Sequence, residues 1–361
     1  MRRGLISWSR DEVPPPVLEG RVARLQEQMR AAGLGVVLIY TSFARPSAVA
    51  WLTHFVPYWN EALLVVFPAG APLLLAAFSK RMHDWIRSVS HLGEGRSAPD
   101  LGRAAAALLM ERPPAPSRVG VLELDALPWP VAERISRPEH GGGLVDVTAL
   151  FASIRQPADE AEIRLAQRAA NLTAQALVAI PPRPTRASEV LSALEASARL
   201  GGAEEVIPRL APDLRADATL RRFESDAPLG ERFAVELSVA YKATWVRVAR
   251  CFCNGAPPQS WRRAAEWFSR TAGCLNETNL APDLATASGA PPGRLAAWTV
   301  ETCLGSPPLS VAACDQASAR AALPAGSLAT LSLRLVLDDG PWLGAGPLVL
   351  GARGQPARRL I

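Results

Sequence analysis

The strongest constraint on how this chain can fold is a pair of apolar runs separated by only five residues. Ala62–Phe67 is followed by Pro68-Ala69-Gly70-Ala71-Pro72 and then by Leu73–Phe78. A parallel pair needs a crossover of a dozen or more residues, so two runs this close can pair only as an antiparallel hairpin. The prolines and the glycine between them are turn formers. Around this hairpin, helical and extended patterns alternate. Leu18–Ala32 has apolar residues Val22, Leu25 and Met29 at helical spacing, with Gly33 as its stop. A buried strand follows at Val36–Tyr40, then a helix at Asp100–Glu111 and a strand at Val119–Glu123. The pattern predicts an α/β domain over residues 1–150, with a sheet of mixed strand direction.

The chain has 361 residues, enough for a second domain with its own core. Over 151–361 the pattern changes. Asp159–Ala179 reads as a long amphipathic helix, preceded by Pro157, opened by an acidic first turn and stopped by Pro181-Pro182. A second helix, Ala187–Leu200, ends at Gly201-Gly202. Strands are then expected at Arg232–Ala240, Thr244–Cys253, Ala329–Leu337 and Leu348–Leu350, with a helix at Gln259–Cys274. This is an α+β pattern with an antiparallel sheet backed by helices.

Charge excludes some functions. The net charge is +5, but only Lys80 and Lys242 are lysines, and the arginines alternate with acidic residues in stretches such as Glu19 to Arg30. A nucleic-acid surface gathers basic residues on one face with interleaved aromatics, so no nucleic-acid partner is expected. No apolar run reaches the length of a membrane span and the N-terminus lacks a signal-type core, so the expectation is a cytoplasmic protein without a membrane partner. All five cysteines lie between Cys251 and Cys314, an odd number without C-x-x-C spacing. That pattern argues for reduced thiols rather than a disulfide framework or a zinc site.

Several segments together resemble a known family. RVARLQEQMRAAGLGVVLIYTSFARPSAVAWLTHF is similar to the start of a creatinase-type N-terminal domain. RVGVLELDALPWP, followed by VDVTALFASIRQPADEAEIRLAQRAANLTAQAL, resembles its junction into the pita-bread domain of creatinases and Xaa-Pro aminopeptidases. The resemblance implies a creatinase-type domain over 1–150 and a pita-bread domain over 151–361. For metallopeptidases of this family it also implies two metal ions held by two aspartates on a hairpin, a histidine and two glutamates on later strands. Such ions suit carboxylate and imidazole ligands and activate a bridging water.

This chain departs from that ligand set. In LGERFAVELSVAYKATWVRVARCF the first aspartate falls on Glu236 and the second on Arg247, which has no lone pair for a cation. WTVETCLGSPPL stands where the histidine motif belongs and holds no histidine. Ser332 stands nearest the first later glutamate, and the last one falls in Gly344–Pro347. The expectation is therefore a pseudo-metallopeptidase with no metal cofactor, acting as a non-catalytic subunit of a homodimer or of a heterodimer with a paralogue, or as a small-ligand binder.

Glu236 and Arg247 are expected to face each other across a hairpin turning at Tyr241-Lys242. The competing expectation is a metal-independent C–N hydrolase acting on a small amide, guanidino or amino-acid-like substrate. Its catalytic candidates are Glu236 and His54, with Arg247 and Arg250 holding a carboxylate. Trp59, Trp245, Trp298, Tyr241 and Ser332 complete the candidate ligand-binding set. His54 stands in WLTHFVPYWNE, a loop that the resemblance places near a partner's pocket. Packing is the alternative for every one of these aromatics and for His54.

Overall fold

The computed structural model describes residues 8–57, 60–114, 118–136, 143–223, 226–278, 280, 288–303, 310–315 and 323–361. Side chains of 303 and 310–315 are excepted. The chain divides at Arg155/Gln156 into two compact units.

In the first unit, α1 (Pro15–Ala31) and β1 (Val36–Thr41) are followed by α2 (Ser47–Thr53) and by the hairpin of β2 (Ala62–Val66) and β3 (Leu73–Ala76). After these come α3 (His83–Val89), β4 (Glu94–Ser97), α4 (Leu101–Glu111), β5 (Val119–Leu122), α5 (Trp129–Ile135), β6 (Leu144–Asp146) and α6 (Thr148–Ile154). The sheet order is β4-β3-β2-β1-β5-β6. β2 pairs antiparallel with both β1 and β3, while the β3–β4, β1–β5 and β5–β6 pairs are parallel. The hairpin thus makes the sheet mixed, as its short turn requires. β1, β2 and β3 are buried along almost their whole length because the sheet is covered on both faces, which is why they read as continuous apolar runs rather than alternating ones.

In the second unit, α7 (Glu160–Val178) and α8 (Ala187–Leu200) precede β7 (Glu205–Ala211), β8 (Arg232–Tyr241) and β9 (Thr244–Cys253). Next come α9 (Gln259–Cys274), β10 (Arg294–Cys303), β11 (Ser310–Asp315), β12 (Leu328–Leu337), β13 (Gly340–Val349) and β14 (Arg358–Arg359). The main sheet runs β11-β10-β12-β13-β9-β8-β7, and all its pairs are antiparallel. The Asp159 carboxylate caps α7 by accepting from the Glu162 amide at 2.9 Å. Its inner stripe, with Ala166, Ala169, Ala170 and Ala176, is made of small residues that allow close packing on β8 and β9.

Phe233, Val235, Leu237 and Val239 of β8 point into the core shared with α7 and α8. Leu331, Leu333 and Leu335 of β12 join the core shared with α9. The alternate residues of these strands therefore occupy the opposite face.

β13 shows why sequence reading found only its end. Pro341, Gly344, Gly346 and Pro347 look like strand breakers, yet the strand runs from Gly340 to Val349. A Cβ on Gly344 would sit 2.4 Å from the Trp342 ring, so that ring lies against bare backbone. β7, β10 and β11 were likewise not expected from the sequence pattern.

The β8–β9 turn falls at Lys242-Ala243, one residue later than the sequence reading placed it. Both residues take positive φ, 49° and 59°, as a two-residue turn of this hand demands. Neither is glycine, and non-glycine residues are strained there. Glu204, only 8% exposed, offsets the strain: its carboxylate accepts from the Lys242 and Ala243 amides at 2.8 and 2.9 Å. E204A is expected to cost about 1–3 kcal/mol in urea melts, because two partly buried amides lose their charged acceptor. An unchanged melt would mean that the hairpin holds itself.

Candidate functional site

The face of the second sheet away from the helices carries the candidate site. One row of residues crosses it through consecutive strand pairs: Glu236 opposite Ala249, Ala249 opposite Ala345, Ala345 opposite Ser332, and Ser332 opposite Thr299. Two residues along, on the same face, come Arg247 of β9 and Glu301 of β10. Glu236 and Arg247 are diagonal neighbours rather than directly opposed, because Arg247 pairs with Ser238.

This row forms a pocket open to solvent. Ala249, Ala297 and Ala345 form an apolar bed, and Leu220 and Leu343 flank it. Glu236 stands at one end, while Ser332, Thr299 and Arg334 supply the other polar groups.

Arg247 is the centre of a charge chain. Its guanidinium Nη2 is ion-paired with Oε1 of Glu301, and its Nε lies 3.8 Å from Oε2 of Glu236. Arg209 donates to the other Glu236 oxygen at 3.4 Å. The side chains of Glu236, Arg247 and Glu301 are only 11–13% exposed, so these charges hold each other in a partly dry environment. Glu301 and Arg209 were missed at the sequence level. Glu301 stood in plain view in WTVETCLGSPPL, but only the strand register reveals that it shares a face with Arg247.

The donor set does not fit a dinuclear metal centre. Around the row stand two carboxylates with a guanidinium between them, two alanines and two hydroxyls, and hydroxyl and methyl groups cannot replace anionic ligands. Among the described residues, no three His, Cys, Asp or Glu side chains come together in a way that could hold a metal ion.

The other candidates divide by strand parity. Arg250 pairs with Val235, on the helix side of the sheet, so it cannot join Arg247 in one carboxylate clamp. It donates instead to the carbonyls of Ala249 and Ala345, both at 2.9 Å, bracing the β9–β13 seam beneath the pocket. Burial, reinforced by nearby Arg359, holds its guanidinium below the ordinary arginine pKa.

Tyr241 also lies on the helix side, its ring 5.9 Å from the Arg168 guanidinium of α7. Trp245 shares the face of Arg247 but is 5% exposed and does not line the pocket. Trp298 borders the pocket, yet at 2% exposure it belongs to the core shared with α9. Trp59 lies outside the described residues, and so do Pro307 and Pro308.

His54 lies in the first unit as the residue that ends α2, with φ 63°. Its Nδ1 is 3.3 Å from the Val89 carbonyl, its ring stacks on Trp8, and it is 4% exposed. Buried packing accounts for this histidine.

Cys251 and Cys253 are free thiols. Cys251 Sγ donates to the Leu343 carbonyl at 3.4 Å and accepts from its amide at 3.2 Å, and burial pushes its pKa up to about 12. No helix among the described residues is long and apolar enough to cross a membrane.

Residues 21–156 match the Creatinase/Prolidase N-terminal domain family. The whole chain is similar in structure to X-Pro aminopeptidase from Thermotoga maritima, at 14% identity and TM-score 0.73, covering 94% of this chain and 96% of that one. Prolidase from Pyrococcus horikoshii is similar at 14% identity and TM-score 0.71, covering 94% and 97%. Dipeptidase PepE from Mycobacterium ulcerans follows at 15% and 0.67, covering 96% of both chains. No curated protein matches by sequence. At these identities the structural likeness is one of fold. The first unit therefore carries a creatinase/prolidase-type N-terminal domain, and the chain as a whole has the fold of the creatinase and Xaa-Pro aminopeptidase, or pita-bread, superfamily.

Proposed function

We propose that the chain is a pseudo-metallopeptidase: the pita-bread scaffold without a dinuclear metal site, serving as a non-catalytic, small-ligand-binding subunit. It would dimerise with itself or with an active paralogue. The observation that carries this reading is Arg247 lying between Glu236 and Glu301. A guanidinium there supplies the counter-charge that a cation would otherwise provide, and it repels any cation approaching the two carboxylates.

The alternative of a metal-free C–N hydrolase finds less support. Its two-arginine clamp is split across the sheet. Both oxygens of Glu236 are already engaged by arginines, Arg209 and Arg247. The test is metal content by mass spectrometry after dialysis against Mn²⁺ and Zn²⁺, together with turnover of Xaa-Pro dipeptides. The expected result is trace metal and no hydrolysis. Stoichiometric metal at Glu236 would sink the proposal. Co-expression with a neighbouring paralogue tests the heteromeric form, which predicts joint elution.

A further inference from the structure

We propose that the pocket on the open face takes a small monocarboxylate with an apolar body, its carboxylate held by Arg334 and Ser332. This deepens the ligand-binding reading above and rests on it. Among the described residues, the charges of Glu236, Arg247 and Glu301 on this face are matched. Glu236 is held by Arg209 and Arg247, and Arg247 by Glu301. Arg334 lines the pocket from β12, and among the described residues no carboxylate lies within ion-pair distance of it. Asp217, which feels its charge, is exposed and bonded at 2.8 Å to Arg221.

A second feature points to the same place independently. Ser332 Oγ, two residues before Arg334 on the same face, is buried and has no hydrogen-bond partner among the described residues. A buried hydroxyl without a partner is costly unless something else satisfies it. A carboxylate answers both deficits. It accepts two parallel bonds from a guanidinium and a third from a hydroxyl.

The rest of the pocket sets the body of the ligand. Ala249, Ala297 and Ala345 beneath, with Leu220 and Leu343 at the sides, suit a short branched hydrocarbon. The alanine methyls beside Ser332 offer no donor where the second carboxylate of a short diacid would lie, so diacids are disfavoured.

The test is calorimetric titration of the full chain at neutral pH with 3-methylbutanoate, its amide 3-methylbutanamide, and succinate, each with and without EDTA. The acid is expected to bind, the amide and succinate at least about tenfold more weakly, with EDTA making no difference. R334Q is expected to lose at least about tenfold in affinity for the acid with its melting temperature kept, and R334K to recover part of it.

Equal binding of acid and amide, full affinity in R334Q, or no binding of the acid would overturn the proposal while leaving the metal-free reading intact. Binding of the acid that vanishes in EDTA would overturn both. The acid–amide comparison uses the unaltered protein, so a poorly folding R334Q would not remove the test.

Discussion

R247A is expected to destabilise the protein by about 3–5 kcal/mol, the cost of stranding buried charges when one partner is removed. Arg247 serves two carboxylates, Glu236 and Glu301, whose side chains are 13% and 11% exposed. Removing it leaves like charges on one face of the sheet, with only Arg209 still reaching Glu236. The triple variant R247M/E236Q/E301Q should recover most of the loss, because neutral and apolar groups of similar size need no counter-charge.

R247D carries the argument further. It would place three carboxylates together, so added Mn²⁺ should raise its melting temperature, by the equivalent of about 2.7 kcal/mol at a hundredfold excess over the dissociation constant. The unaltered chain should not respond. Thermal melts of the four proteins with and without Mn²⁺ decide the matter. If R247A melts like the parent, the charge chain contributes nothing and Arg247 is not the reason the face tolerates its two acids.

The second large effect lies at alkaline pH. The Cys251 thiol, packed against the Leu343 backbone, has its pKa raised by burial to about 12, against an unfolded value near 9. The folded state therefore keeps a proton that the unfolded state releases. Below about pH 9 both states hold it and stability is full. As pH rises from about 9 towards about 12, ionisation favours the unfolded chain and stability falls by at most about 4 kcal/mol.

Tyr40 adds to the same fall, because burial and then its 2.6 Å bond to Glu61 hold its proton in the folded state. Urea melts at pH 8 and pH 10.5 should show the loss. C251S, whose hydroxyl does not ionise in this range, should show a shallower one. An equal slope in C251S would assign the alkaline loss elsewhere.

The divided seam of the second sheet explains why the site was only half legible beforehand. β9 and β13 meet through a single registered pair, Ala249 with Ala345, and Arg250 braces that junction from the helix side. No local pattern announces such a pair, because its residues lie almost a hundred positions apart in the chain. The same holds for Arg334. In the run SLATLSLRL it reads as one more polar residue of an alternating strand, and only its neighbours across β10 and β13 show that it faces the pocket, with no carboxylate among the described residues at ion-pair distance.

What local chemistry could settle, it settled from the residues alone. The short Pro-Gly turn dictated an antiparallel hairpin in the first unit, the acidic first turn and the Pro181-Pro182 stop marked α7, and the guanidinium of Arg247 excluded that position as a cation ligand. The tertiary structure alone decided which side chains share a face. It placed Arg250 and Tyr241 behind the sheet, buried His54, added Glu301 and Arg209 to Glu236 and Arg247, and made a strand of a glycine-rich segment. The physical reason is that periodicity reports the two sides of one strand, whereas register and the packing of Phe268 and Trp342 against bare backbone depend on partners far away in the chain.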